Sequence, residues 1–587
     1  MTSYTQYWQN KINLIEWKQK PKKTISNNKK KFYNDGKTNL TYNCIQNNIN
    51  IGFENKIAII FVNEKLEINK LTYGELSQSI DCFINFLKKN FNIKNNQEKI
   101  ITIHSSSNIV SAISMLACAK MGITHNVIFD DLSKDSIKTR INLTKSKLII
   151  TSCSKKDYKK KFQNFSESEI KILHINDSQI LGLSKNRKYL FKTPYASVRA
   201  NKPSFILFTS GSTGIPKGIA HSTAGWLLYT KFSMIEKFGL THKDIILTAS
   251  DAGWINGHNY ALYGPLSIGA TTILLEKPMS LLDISFLKKI LLDIKITVMY
   301  LPVTLVRLLK VFDKSLNVKS KYLRLLGSMG EPLSAYVGNW FCKKFSKKRL
   351  QIINTYYQTE TGAIICSPSF KQSLSICPPG SVGKPLTKHL GVFIKKNLDK
   401  KSEILIKNPW PGCLINVLNG LRSYKNYWDK NNNFKMFDYA SRDDEGNYYV
   451  YGRMDDVINI SGHRIGSGEF ENIILKNKKI KEVCAVAIED KLKGQGFVLF
   501  YVSNSNQERS IKQNIINTFG TFAIPKCVIK VQELPKTKSG KILRRLLRSL
   551  LIDPNAEKVG DISTMNNPKI ISDIIKNICI KYNNIFI

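Results

Sequence analysis

The sequence predicts an α/β protein whose parallel strands are covered by helices on both faces, followed by a small α+β domain. Three observations carry that expectation. From Ile57 onward, short β-rich runs alternate with helical patterns, as parallel strands joined by crossover helices do. A stretch of glycines and hydroxyls, Thr209-Ser210-Gly211-Ser212-Thr213-Gly214-Ile215-Pro216-Lys217, directly follows the apolar run 205–208, as when a strand empties into a phosphate-gripping loop. After Tyr451-Gly452-Arg453-Met454-Asp455-Asp456 a compact pattern of strands and helices starts afresh.

Taken in order, the first forty-odd residues are polar and aromatic without clear periodicity and read as an arm wrapped on a domain. Strands follow at 57–62 and 100–104, a helix capped by Thr72-Tyr73-Gly74-Glu75-Leu76, and an apolar helix over 109–121 that ends at Gly122. Further strands are expected at 127–129 and 148–151. The lysine-rich stretch 154–201 reads as a surface connection. The alternation resumes with strands at 245–249, 271–275, 298–301 and 323–326 and helices over 304–312 and 335–345. Beyond Cys377, Pro/Gly punctuation and short strands such as 402–406 suit a small β-barrel-like part. The expected division is an arm over 1–50, a large domain over 51–454 and a small domain over 455–587.

Composition narrows the function classes. A chain of 587 residues, 42% hydrophobic, is long enough for several cores. The formal charge of +44 raises nucleic acid or an anionic membrane as partners, but the lysines are scattered among asparagine and isoleucine. A solvated surface is expected instead, with neither nucleic acid nor membrane bound. The eleven cysteines are widely spaced, with no C-x-x-C pair, so neither a zinc site nor a disulfide framework is indicated. No run of about eighteen apolar residues exists, and a cytoplasmic protein is expected.

Six strings carry chemistry. In the first, glycines let backbone N–H groups approach an anion, hydroxyls add donors and Lys217 adds charge, although the spacing differs from the ordinary P-loop. The second is Ser250-Asp251-Ala252-Gly253-Trp254-Ile255-Asn256-Gly257-His258, an aromatic turn leading from a strand into a helix. The third, Gly327-Ser328-Met329-Gly330-Glu331-Pro332, is a turn able to frame a purine. The fourth, Asn354-Thr355-Tyr356-Tyr357-Gln358-Thr359-Glu360-Thr361-Gly362, offers adjacent aromatics for a base and a carboxylate for a magnesium ion on a triphosphate. In the fifth, Asp438 precedes Arg453, Asp455, Ser461, Gly462 and Arg464; a carboxylate suits ribose hydroxyls and arginine suits phosphate. The sixth, Pro535-Lys536-Thr537-Lys538-Ser539-Gly540-Lys541, presents one amine from a glycine turn, where it neutralises charge developing on a phosphoryl group.

In this order, over residues 7–574, the strings resemble the acetyl- and propionyl-coenzyme A synthetases of the adenylate-forming superfamily. The arm segment 32–40 and the tail Gly560-Asp561-Ile562-Ser563-Thr564 resemble that short-chain branch too. The resemblance implies a large N-terminal domain of two α/β subdomains and a β-barrel, with a mobile C-terminal domain. It implies a carboxylate attacking the α-phosphate of ATP with Mg2+ bound, then transfer of the acyl group from the adenylate to coenzyme A. Thr209, Ser210, Gly211, Ser212, Thr213, Gly214 and Lys217 are then expected at the β- and γ-phosphates, and Glu360 at magnesium. Gly330, Glu331, Pro332, Asn354, Thr355, Tyr356, Tyr357, Gln358 and Thr359 are expected around AMP, Asp438 at the ribose, and Arg453 and Arg464 near ribose and phosphates. Lys541 is the expected catalytic residue of the first half-reaction and a candidate target of a lysine acyltransferase or deacylase. Asp455 is the expected hinge, and Ser461 and Gly462 the expected coenzyme A face.

The acyl pocket departs from the family. Trp254 is expected beside it, and Ile255, Asn256, Met329 and Tyr357 stand where acetate enzymes usually carry Val, Thr, Val and Trp. Tyr357 opens space and Met329 fills it; Met329 argues for acetate, whereas Phe437-Asp438-Tyr439 and Pro411-Gly412-Cys413 look more like the propionate branch. Acetate is the expected acid and propionate the alternative. The arginine expected before Phe519-Gly520 is replaced around Ile516-Asn517, which leaves the contact to the coenzyme A 3′-phosphate unassigned. The competing classes are a carrier-loading adenylation domain, a degenerate non-catalytic relative and a basic polyanion binder.

Overall fold

The computed structural model describes the chain apart from residues 1–2, 27–30, 96–99, 163–164, 166–169, 210–215, 313–315, 317, 346–351, 372–377, 379, 396–400, 419–423, 461–462, 491–493, 538–539, 541, 554–564, 566 and 582–587. Two seven-stranded sheets dominate it. The first runs, edge to edge, Asn416–Leu418, Lys217–Ser222, Pro203–Thr209, His125–Ile128, Ile101–His104, Leu148–Thr151, Lys171–His174. The second runs Ile352–Asn354, Leu325–Met329, Val298–Pro302, Ile245–Thr248, Thr271–Leu275, Ile57–Val62, Ile68–Thr72. Each is parallel apart from the antiparallel pairings that Lys217–Ser222 makes with Pro203–Thr209 and Asn416–Leu418, and that Ile68–Thr72 makes with Ile57–Val62. Both sheets are buried on two faces, which is why their strands read as near-continuous Ile/Leu/Val runs.

The largest core lies between the sheets. It joins Ile103 and Phe205 of the first with Ile59, Val298 and Ile353 of the second. Helix Ile109–Met121 is buried all round within it, so it needs no polar face. Local chemistry sets its ends: Asn108 accepts from the Ser111 amide, and Gly122 closes it at φ +70°. The helix Tyr73–Phe91 starts with a full capping box, Thr72 and Glu75 each bonding the other's backbone amide. A second core, under helices Ile284–Asp293, Val303–Val311 and Ala335–Phe345, covers the far face of the second sheet. The arm packs on this body: Trp8 is fully buried against Tyr229 and Phe232, and the Tyr4 hydroxyl donates to the Pro409 carbonyl.

Two expectations change. The stretch 154–201 holds helix Lys155–Phe162, strand Lys171–His174 and helix Asp177–Gly182. The strand is the edge of the first sheet, and lysines on an edge and on a solvent-facing helix hide the apolar pattern. Beyond Cys377, the described residues form an open four-stranded antiparallel sheet, Val392–Ile394, Lys401–Ile406, Phe434–Arg442, Tyr448–Arg453, and not a closed barrel. The C-terminal part is a five-stranded sheet with its own cores, flanked by helices Ser467–Ile474, Glu508–Phe519, Arg544–Ile552 and Ile570–Lys581.

Candidate active site

Three neighbouring parallel strands of the second sheet, Val298–Pro302, Leu325–Met329 and Ile352–Asn354, end side by side. The chain leaves them into helix Val303–Val311, the turn 330–332 and the segment 355–361, so two of the expected strings and one further helix start meet at one carboxyl edge. Gly330 turns at φ +89°, a left-handed conformation that glycine adopts freely. Arg307, unforeseen in the sequence, holds the two residues after it: NH1 donates to Glu331 Oε2 at 2.9 Å and NH2 to the Pro332 carbonyl at 3.3 Å. Asn354 accepts from Ser328 Oγ at 3.0 Å and donates to the Ser381 carbonyl at 2.9 Å.

The paired aromatics diverge. Tyr356 donates to Asp438 Oδ2 at 2.6 Å, and Gln358 Nε2 reaches the same oxygen at 2.6 Å. Arg453, the cross-strand partner of Asp438, places NH1 3.3 Å from Oδ1. Burial drives the Tyr356 phenol far above its ordinary range, with the Asp438 charge adding to it, so the phenol stays a donor. Burial pulls the Arg453 guanidinium down, but Asp438, Asp455 and Glu360 more than offset it. Tyr357 turns the other way, its ring edge-on to Tyr260 at 5.6 Å and its hydroxyl 3.4 Å from that of Tyr300. Tyr300 in turn lies 2.5 Å from Thr355 Oγ1, which donates to the Ser328 carbonyl.

Glu360 sits on a loop fixed from behind. The Leu414 amide donates to its carbonyl at 2.9 Å, Trp410 Nε1 to that of Thr361 at 2.9 Å, and His221 Nε2 to that of Thr359 at 2.8 Å. Gly362 is at φ +78°, where a Cβ would stand 1.9 Å from the Gly412 carbonyl, so only glycine fits. On the carboxylate itself, Tyr427 donates to Oε1 at 2.9 Å, and the Tyr427 ring lies 6.0 Å from Lys217 Nζ. Lys217 and Thr209 are cross-strand partners in neighbouring antiparallel strands. Tyr427 has no motif around it in the sequence, and only the fold brings it to Glu360.

On the other side, Ile255 is buried, and Asn256 Nδ2 contacts Met329 Sδ at 2.8 Å. Met329 is only 1% exposed, and Asn256 Oδ1 is buried without a hydrogen-bond partner. Trp254 stands slightly apart, against Phe129 at 5.1 Å. Asp455 lies between Arg453, 3.7 Å away, and Arg545 of the C-terminal part, 3.1 Å away. Burial alone would raise its carboxyl; Arg545 and Arg453 hold it below the ordinary range. The expected residues Ser210, Gly211, Ser212, Thr213, Gly214, Ser461, Gly462 and Lys541, the side chain of Arg464 and the tail 560–564 lie outside the described residues. Gly540 is described, and its carbonyl accepts from Thr304 Oγ1 at 3.3 Å. Among the described residues no helix is long and apolar enough to cross a membrane, and no group of three or more His, Cys, Asp or Glu side chains could hold a metal.

Tyr356 and Glu360, on the segment leaving the second sheet, meet Asp438 and Arg453 of the four-stranded antiparallel sheet and lie near Lys217 of the first, a polar cluster assembled from three sheets, and the chain belongs to the AMP-binding enzyme family. That family matches residues 51–411, and its C-terminal domain matches residues 469–541. Near-full-length relatives are acetyl-coenzyme A synthetases. Acetyl-coenzyme A synthetase 2 of Candida albicans is 33% identical, with 94% of this chain and 87% of that protein covered. The acetyl-coenzyme A synthetase of Pasteurella multocida is 32% identical, with 97% and 93% covered. Among solved structures, acetoacetyl-CoA synthetase from Streptomyces lividans has the same fold, with a TM-score of 0.83 at 15% identity over 97% of this chain and 92% of that one. The anthranilate CoA ligase AuaEII, solved with anthranoyl-AMP, has a TM-score of 0.74 at 18% identity over 87% of this chain and 97% of that one.

Proposed function

We propose that this chain is an AMP-forming acetate–CoA ligase, converting ATP, acetate and coenzyme A to acetyl-CoA, AMP and diphosphate through acetyl-adenylate. The observation that carries the proposal is the convergence of Asp438, Gln358, Tyr356, Arg453, Glu360 and Lys217, drawn from three sheets, in a chain similar over nearly its full length to acetyl-coenzyme A synthetases. The reaction class needs positioning and charge neutralisation more than covalent chemistry. Asp438 accepts the ribose hydroxyls, oriented by Tyr356 and Gln358. The segment 330–332, steadied by Arg307, borders the adenine together with Asn354 and Thr355. Thr209, residues 210–214 and Lys217 take the β- and γ-phosphates, and Arg453 and Arg464 the ribose–phosphate side.

Magnesium on ATP fits this donor set. The ion is commonly held by one or two carboxylates with phosphates and water, and Glu360 offers one carboxylate with Tyr427 fixing one of its oxygens. When bound, magnesium neutralises phosphate charge. Lys541 neutralises charge on the α-phosphate during adenylation, and acylation of its amine by a modifying enzyme silences that step. The C-terminal part, divided from the large part near Asp455, then turns about that residue to bring Ser461 and Gly462 to the adenylate, opening the way for coenzyme A. The buried cysteines fit a reducing cytoplasmic setting.

For the acid, Met329 supports acetate over propionate: it is buried, and the Asn256 amide rests on its sulfur, which shortens the pocket. Acid-dependent ATP–pyrophosphate exchange with acetate, propionate and butyrate, beside coenzyme A-dependent AMP release and a Lys541→Ala control, tests the proposal. Exchange is expected to be fastest with acetate and absent in the control. Propionate ahead of acetate would transfer the reading to propionate–CoA ligase, and no exchange with any acid would leave a non-catalytic relative.

A further inference from the structure

The turn just before Lys541 is seated on the large part of the chain through a small, specific contact. Thr304 Oγ1 donates to the Gly540 carbonyl at 3.3 Å. Gly540 is at φ +86°, and a Cβ there would stand 2.5 Å from Thr304 Cγ2 and 3.4 Å from Met279 Cε. Backbone conformation and contact therefore both demand glycine. Thr304 lies in the first turn of helix Val303–Val311, directly after the strand that borders Leu325–Met329. One turn along the same helix, Arg307 holds Glu331 and the Pro332 carbonyl. Residues three apart share a helix face, so one rigid element grips the turn 330–332 and receives the turn from the C-terminal part.

We propose that Thr304 is the positioning residue that seats the Gly540 turn, which immediately precedes Lys541 in the sequence, at the carboxyl edge of the second sheet for adenylate formation. Helix Val303–Val311 ties that seat, through Arg307, to the loop bordering the nucleotide. The inference rests on the reaction proposed above. One hydrogen bond and the approach of two methyl groups, those of Thr304 and Met279, suit a seat that must release, because a larger buried interface at this point would hold the turn in place through the second half-reaction.

The test separates the half-reactions in the full-length protein. Gly540→Ala places a methyl against Thr304 Cγ2, and ATP–pyrophosphate exchange is expected to fall about tenfold. Thr304→Ser in the same chain removes Cγ2 but keeps the hydroxyl, and exchange is expected to recover about threefold over Gly540→Ala alone. Thioester formation from preformed acetyl-adenylate and coenzyme A is expected to change by no more than about twofold in either chain. Equal loss of both half-reactions, or no recovery in the double variant, overturns the seat. If the unmodified protein exchanges with no acid, the proposed reaction fails, and the seat is read without chemistry. Deuterium uptake by a peptide spanning residues 303–311 should then rise in Gly540→Ala and return toward the parent value with Thr304→Ser; equal uptake in all three overturns it.

Discussion

One peptide step separates Tyr356 from Tyr357, and the two lead into regions built on different principles. Tyr356 enters a network of charges and short hydrogen bonds in which Asp438 accepts from Tyr356 and Gln358 and pairs with Arg453. Tyr357 enters a packed cluster in which Tyr260, Tyr300 and Met329 fill space and Asn256 Oδ1 has no hydrogen-bond partner. On the function proposed above, the nucleotide side works through polar complementarity, in which each position calls for a particular donor or acceptor. On the same proposal, the acyl side works through volume, which several residue combinations can supply.

Asp438→Ala tests the first half of that contrast and has the largest expected effect. It leaves Tyr356 without its acceptor and takes one of two from Gln358 and Arg453, which still reach the Met436 carbonyl, and it removes the proposed ribose acceptor, a loss of about 3 kcal/mol, or about two powers of ten in kcat/KM for ATP. Steady-state kinetics together with a thermal melt separate binding from folding. A loss of less than about tenfold with an unchanged melt would show that the polar network is dispensable.

Behind both regions lie three buried histidines around Phe205: His125, His221 and His258. Burial pushes His125 down to about 3 and His221 to about 4, and it holds His258 well below the usual value with His125 adding to the effect. Folded pKa values below the ordinary 6.5 mean that the unfolded chain takes up protons first as the solution is acidified. Their contribution is fully present above about pH 6.5 and is lost as pH falls toward about 4 for His221 and about 3 for His125, by up to about 1.4 kcal/mol per pH unit for each histidine. Urea unfolding between those limits should show the slope, and replacing His125 with glutamine should flatten it. An unchanged slope would mean that these histidines titrate alike in both states.

Met329→Ala has the smallest expected effect and sharpens the second half of the contrast. Shortening this side chain should shift the propionate-to-acetate ratio of kcat/KM toward propionate by about 1–3 kcal/mol while leaving KM for ATP unchanged. A matching rise in KM for ATP would mean that the two regions are not separable.

The same contrast explains which residues were legible in the chain alone. The strings bearing Tyr356, Glu360, Gly330 and Asp438 were legible because polar chemistry fixes residue type at each position. Tyr427, Arg307 and Thr304 were not, since each acts on a residue far away in the chain: Glu360, Glu331 and Gly540. The acyl pocket gave its residues but not its volume, because Met329 and Asn256 meet across 73 positions. The edge strand Lys171–His174 escaped notice behind its lysines, and the expected barrel proved to be an open sheet among the described residues.

By itself the sequence determined the local events: the capping box at Thr72, the Asn108 cap, the stop at Gly122 and the run of strands and helices, since such signals act within about one helical turn. Only the tertiary structure decided that Ile57–Val62, still paired with Ile68–Thr72, joins the sheet of Ile245–Thr248 and not that of Ile101–His104, and that Thr304 meets Gly540 across 236 positions. Apolar burial drives that assembly and has no direction, so partners are chosen by the shape of the whole core.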